Sequence, residues 1–236
     1  SENAVVDNLY VFIHYVEEGM TLSGCLKEIN MELETKVQLA LHVARGLDHI
    51  RLCFPNSEFV HWDVKPNNIL VECVRNDEDG TLTPLMAKIS DFGVAMTTAY
   101  ASPETITYGL GSELAAQTQH QWSWATTFLE VLIGTRSWLD YTEAVRELKK
   151  QLEYIPYLGD NDGNLFLACL RICERCMKPE PAERCSMEDV IAELCRVLGG
   201  GDAAPLLVAR GLVEQCQLHT NIGEILHRQL TKSSED

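Results

Sequence analysis

Four side chains have the types and spacing to do chemistry together. Asp63, Lys65 and Asn68 lie within the run HWDVKPNNIL (61–70), and Asp91 opens the tripeptide Asp-Phe-Gly at 91–93. A carboxylate can orient a hydroxyl group and accept its proton. A lysine two positions on can reach an anionic group held beside it. A side-chain amide oxygen and a second carboxylate are the hard oxygen donors that a magnesium ion takes. Each residue alone is an ordinary polar loop residue. As a set they supply what transfer of a phosphoryl group demands, because that reaction rests on positioning and charge neutralisation more than on covalent work by the protein.

The order His-x-Asp-x-Lys-x-x-Asn followed by Asp-Phe-Gly resembles the catalytic loop and magnesium motif of eukaryotic-type protein kinases, with Trp62 in place of the usual arginine. The resemblance implies Asp63 as the base, Lys65 as the contact to the transferring phosphate, Asn68 and Asp91 as magnesium ligands, and ATP as the nucleotide. Tyr100, Ser102, Pro103 and Glu104 resemble the end of an activation segment. WSWATTFLEVLIGTRSW (122–138) resembles the buried central helix of the large lobe, with Trp122 and Trp124 in the core. CMKPEPAERCSMEDVI (176–191) resembles the close of that lobe, with Cys185 where proline is usual. Glu104 and Arg184 are then the expected structural ion pair. Residues 9–22, LYVFIHYVEEGMTL, resemble the last small-lobe strand and the hinge, with Ile13 as gatekeeper and the backbone of His14, Tyr15 and Val16 meeting adenine.

The expected fold class is α+β, mainly helical: a kinase-like C-terminal lobe with a small-lobe remnant. Residues 1–22 are read as strand and hinge, 23–197 as the large lobe, and 198–236 as a helical extension that offers a contact surface to the lobe or a partner. Within the lobe, Val37, Ala40, Leu41, Ala44 and Leu47 repeat on one helical face and predict a helix over 34–50 ahead of the catalytic loop. His42 and His49 on it are read as packed or surface histidines. VRNDEDGTLTP (74–84) reads as a long loop between two short strands, NILVE and AKIS, with Asp79-Gly80 signalling a type I′ turn. Two short hairpins are expected near the catalytic loop.

Several departures qualify the resemblance. No glycine-rich loop, strand lysine or partnering helix glutamate occurs in the chain, so it is expected to be a piece of a longer kinase, with a naturally shortened protein as the alternative. Trp62 removes the arginine that pairs with an activation-loop phosphate in many members. His120 stands where the family places an aspartate that braces the catalytic loop, and a neutral imidazole can accept one hydrogen bond there but not two. Asp91 to Glu104 spans only 14 residues, and Thr97 aligns with the family's substrate-side threonine.

Lys65 and the ARGL and PAERCSMEDV phrasing resemble the tyrosine-kinase-like serine/threonine group. The first reading is therefore ATP- and magnesium-dependent phosphorylation of a protein substrate. The alternative is a pseudokinase or interaction module that lacks nucleotide chemistry. A net charge of −16 argues against nucleic acid as a partner, because the long-range field repels it. No apolar run approaches the length of a membrane span. Nine cysteines are read as reduced thiols of an intracellular, cytoplasmic protein, and Cys169, Cys173, Cys176 and Cys185 as buried helix thiols rather than zinc ligands.

Overall fold

The computed structural model describes residues 19–54, 59–92, 96–154 and 162–199. The proposed hinge (Ile13, His14, Tyr15, Val16) and nearly all of the C-terminal extension lie outside them. The described chain is mainly helical with one small sheet, as expected.

After strand β1 (Met20–Thr21) come α1 (Leu22–Glu28) and α2 (Leu33–Cys53). The catalytic run follows, with a 3-10 turn at Pro66–Asn68 leading into β2 (Ile69–Arg75) and β3 (Leu82–Ile89). Helices α3 (Pro103–Tyr108), α4 (Glu113–Ile133), α5 (Tyr141–Tyr154), α6 (Asp162–Cys176) and α7 (Met187–Val197) complete the lobe.

Helix α2 is longer than its periodic stretch predicted, and all five residues of the expected stripe are buried. Leu39, Val43 and Ile50 are buried as well, because β3, α4 and α7 surround this helix. Where α2 meets β3 the approach is close enough that a residue larger than Gly46 would have to displace the end of the Ile89 side chain. A Cβ on Gly46 would stand 2.9 Å from Ile89 Cδ1.

The sheet runs β1-β2-β3, antiparallel throughout, so there is one hairpin and an added edge strand rather than two hairpins. Pairing from Ile69↔Ile89 to Arg75↔Leu82 makes both strands longer than the sequence suggested. The hairpin absorbs most of the expected loop, and alternation along β2 buries Ile69, Val71 and Cys73 while Leu70, Glu72 and Val74 are more exposed. Pro84 lacks a ladder donor, and the register shift at Glu72/Cys73 accommodates it opposite Cys73. The turn is not type I′. Gly80 has φ 71°, but Asp79 is not in the left-handed region, so only one of the two required positions is met.

Helix α4 is the buried axis. Ser112 caps its start, and Gly134 (φ 83°) ends it in the left-handed conformation that terminates helices. The helix therefore stops short of Trp138, which the sequence reading had placed within it. Trp122, Trp124 and Trp138 are each 1% exposed. Trp124 Nε1 donates to Ala40 O at 3.0 Å and Trp138 Nε1 donates to Ala99 O at 3.1 Å, whereas the buried Trp122 Nε1 has no partner among the described residues. Helix α7 opens with a capping box: Asp189 N donates to Ser186 Oγ, and Ser186 N donates to Asp189 Oδ2. Among the described residues, no helix is long and apolar enough to cross a membrane.

Candidate active site

The chain from His61 to Asn68 is pinned from three directions before it offers any group to a ligand. His61 is fully buried, and its Nε2–H donates to Ser90 O at 2.9 Å. That fixes the other ring nitrogen, Nδ1, as the acceptor for Asp63 N at 3.3 Å. Burial lowers the His61 pKa, which suits the neutral ring this arrangement needs. From helix α4, His120 Nε2 accepts the backbone N–H of His61 at 3.0 Å, and Thr127 Oγ1 donates to Val64 O at 3.1 Å. From the residue that follows β3, Ser90 N and Ser90 Oγ both donate to Asn68 O.

His120 makes the single acceptor contact that an imidazole allows. It is enclosed in the lobe, and desolvation, with the nearby His61 ring adding to it, lowers its pKa to about 4. At neutral pH it is an uncharged acceptor, not the anion that the family's aspartate would be.

Asp63, Lys65, Asn68 and Thr97 form one hydrogen-bonded group. Asp63 is 4% exposed. Its Oδ2 accepts from Lys65 Nζ at 2.6 Å and from Asn68 Nδ2 at 3.0 Å. Lys65 Nζ also donates to Thr97 Oγ1 at 2.9 Å, tying the catalytic loop to the activation segment. Burial pushes the Asp63 carboxyl upward, but the Lys65 hydrogen bond, Thr97, the lysine charge and Asn68 outweigh it. The group is held below its ordinary value. The second oxygen, Oδ1, is buried and has no partner among the described residues. An anionic oxygen with a free lone pair is what a substrate hydroxyl would meet.

Asn68 spends its amide nitrogen on Asp63, donating to both Oδ2 and the main-chain O. Its carbonyl oxygen is the atom suited to a hard cation. Asp91 follows Ser90 directly, so the tie from Ser90 to Asn68 sets where its carboxylate leaves the chain. Asp91 is exposed and has φ 59°, a left-handed conformation that aspartate tolerates better than most residues. Phe92 beside it packs against the His61 ring at 5.1 Å and the Phe59 ring at 5.8 Å. The structure therefore brings Asp63, Lys65, Asn68 and Thr97 into contact and sets Asp91 next to them. The backbone of His14, Tyr15 and Val16 lies outside the described residues.

The segment beyond Thr97 is equally well tied. Tyr100 is buried, and its hydroxyl donates to Glu130 Oε2 on α4. Burial and the facing carboxylate raise the tyrosine pKa, while burial raises that of Glu130. Glu104 and Arg184 form the expected buried pair, with Nη2 to Oε2 at 2.9 Å and Nη1 bonded to Oε1. Arg184 lies 5.0 Å over the Trp122 ring.

Gln119 had no signal in the sequence, because a glutamine inside an amphipathic helix reads as surface. Yet it is fully buried. Its Oε1 accepts from Ser102 N and Thr105 Oγ1, and its Nε2 donates to Tyr100 O. The structural role of Ser90 was equally silent.

Comparison with known proteins agrees with this geometry. The family model for the protein kinase domain matches residues 3–194. Over 106 residues the chain is 32% identical to the LRR receptor-like serine/threonine-protein kinase ERL1 of Arabidopsis thaliana, covering 43% of this chain and 10% of that protein. It is 24% identical to the LRR receptor-like serine/threonine-protein kinase SIK1 of Oryza sativa subsp. japonica, covering 80% of this chain and 20% of that one. It is 28% identical to LTRK 1 of Lymnaea stagnalis, whose name places it among the neurotrophin receptors, over 72% of this chain and 21% of that protein. The chain thus spans about a tenth to a quarter of the length of the curated relatives it matches. With the family model covering most of its length and the catalytic-loop residues assembled around Asp63, the chain belongs to the protein kinase domain family.

Proposed function

We propose that this chain carries the catalytic lobe of a protein serine/threonine kinase, which transfers the γ-phosphoryl group of ATP to a protein hydroxyl with magnesium bound. The observation that carries the reading is Lys65 Nζ bridging Asp63 Oδ2 and Thr97 Oγ1.

In this reading Asp63 Oδ1 orients the substrate hydroxyl and takes its proton as the phosphorus–oxygen bond forms. Lys65 offsets the charge on the transferring group while holding Asp63 in place. Asn68 Oδ1 and the Asp91 carboxylate are the donors suited to magnesium, which would neutralise charge on the phosphate oxygens. The backbone of His14 to Val16 is proposed to receive adenine.

Thr97 bonded to Lys65 favours a serine or threonine acceptor, and two of the relatives above carry serine/threonine in their names. ATP, magnesium and the substrate class are inferred from family and residue chemistry.

The test is phosphoryl transfer from radiolabelled ATP with magnesium to a degenerate peptide library, using the longest natural chain that contains these residues. Phosphoserine and phosphothreonine are expected, and Asp63→Asn should remove them. Label confined to phosphotyrosine would overturn the acceptor class. Absence of transfer with the wild-type chain, alongside absence of ATP-dependent thermal stabilisation, would favour the binding-module reading.

A further inference from the structure

Cys176 ends helix α6, and Cys185 lies on the segment that enters α7. Their sulfurs stand 3.2 Å apart, with both residues buried. A disulfide places its sulfurs about 2.05 Å apart, so bonding requires them to close by roughly 1.2 Å, within the reach of side-chain rotation.

The two thiols are unequal. Burial pushes Cys176 well up, whereas Cys185 is lowered, chiefly by its hydrogen bond with Cys176 and further by the Arg175 charge. Cys185 is also the more exposed, at 7% against 0%. The attacking thiol and the resolving thiol are thereby distinguished.

What the pair encloses matters more than the pair itself. Between the cysteines run the main-chain oxygens of Lys178 and Pro179, which accept from Arg184 Nε and Nη2, and then Arg184 itself, paired with Glu104. Cys185 is the next residue, followed by Ser186, the cap of α7. A covalent link from Cys176 to Cys185 would close a ring around the arginine that holds the end of the activation segment.

We propose that Cys176 and Cys185 form a peroxide-responsive dithiol whose disulfide clamps Arg184 onto Glu104. The Cys185 thiolate attacks one peroxide oxygen, and the O–O bond breaks, leaving Cys185 sulfenic acid and a hydroxide that leaves as water. The Cys176 sulfur then attacks the Cys185 sulfur. The S–O bond breaks, and the oxygen departs with the Cys176 proton as a second water. Two thiols lose two electrons, and one peroxide gains them. This device stands whether or not the chain transfers phosphate, since it depends only on the lobe's fold.

The experiment titrates the full chain with hydrogen peroxide, quenches with an alkylating agent, and maps unreduced peptides by mass. Exposed Cys53 reports that the reagent has acted. The expected result is a Cys176–Cys185 crosslinked peptide, reversed by dithiothreitol, with slower amide exchange across 103–108 and 177–184 in the oxidised protein. Cys185→Ser, treated identically, should show neither change, and Cys176→Ala serves if that variant does not fold. Both cysteines remaining alkylatable once Cys53 is fully oxidised would overturn the proposal, as would a link from Cys185 to Cys173 instead. A Cys176–Cys185 link that leaves exchange across both segments unchanged would overturn the clamp.

Discussion

Two neighbours on helix α4 hold the two halves of the candidate site in different ways. His120 braces the catalytic loop through one hydrogen bond from an uncharged ring. Gln119, one residue earlier, makes three bonds to the segment Tyr100 to Thr105, which is the docking end of the site in the proposed function, and the Glu104–Arg184 pair adds a buried charged tie to the same segment. The docking end is held by amide contacts and a buried ion pair, while one of the braces on the catalytic loop depends on a proton being absent from a buried imidazole. The same helix thus supports one region through contacts that do not involve a histidine and another partly through a contact that protonation would break.

The largest effect expected is on chemistry. If the longer natural protein transfers phosphate, Asp63→Asn should lower its turnover by about 10²–10⁴-fold with the folded state intact, as loss of a general base does. Unaltered turnover in that variant would take Asp63 out of the mechanism and make the ordering of its loop irrelevant to catalysis.

Next comes the docking end. Arg184→Met leaves the Glu104 carboxylate buried without its partner, since the two side chains are only 1% and 3% exposed. The expected loss is about 3–5 kcal/mol of stability, read by denaturant unfolding. Arg184→Met together with Glu104→Leu should recover much of it. A single variant as stable as the wild type would show that Gln119 alone suffices to hold the segment.

The catalytic-loop side is tested by pH. Because the folded-state pKa of His120 lies near 4, below its ordinary 6.5, the unfolded chain binds a proton first as pH falls. The neutral-histidine contribution is whole above about pH 6.5 and drains away toward pH 4, amounting to about 3 kcal/mol across that interval. His61 and His42 are lowered too and act in the same direction. His120→Asn should flatten the acid side of the stability profile. A profile that the substitution leaves unchanged would assign acid sensitivity to the other histidines.

The smallest effect calibrates the rest. The exposed Arg196–Glu193 pair stands at 2.6 Å, closer than many buried contacts. Arg196→Gln should nevertheless change stability by less than about 0.5 kcal/mol, because water and salt screen such pairs. A loss comparable with that of Arg184→Met would mean that burial is not what separates the two pairs.

The sequence marked the candidate site residues because the family motif they resemble fixes residue types at fixed spacing. Asp63, Lys65, Asn68 and Thr97 do meet, and Glu104 does reach Arg184 across a chain separation of 80 residues. Helix α2 was legible for a different reason, since its apolar stripe has the helical period. What failed was local in another way. The β2–β3 hairpin runs longer than the runs NILVE and AKIS, because the ladder continues through Cys73, Val74 and Arg75 on one strand and Leu82 to Met86 on the other, beside turn residues that read as loop. The end of α4 was missed because Trp138 resembles a continuation of the buried helix, whereas the backbone at Gly134 stops it. Gln119 and Ser90 were missed because a buried amide or hydroxyl announces itself only through the backbone groups it satisfies, and those come from distant segments.

The left-handed backbone at Asp91 has a practical consequence for anyone probing this protein by substitution. Alanine is the habitual replacement for a metal-ligand aspartate, but at φ 59° it would carry a conformational penalty of about 1–2 kcal/mol. Weaker nucleotide binding in Asp91→Ala would then mix two causes, a lost ligand and a distorted bend. Asparagine shares aspartate's tolerance of that conformation, and glycine removes the penalty altogether. A trio of asparagine, glycine and alanine variants at this one position would separate the contribution of the carboxylate from that of the bend.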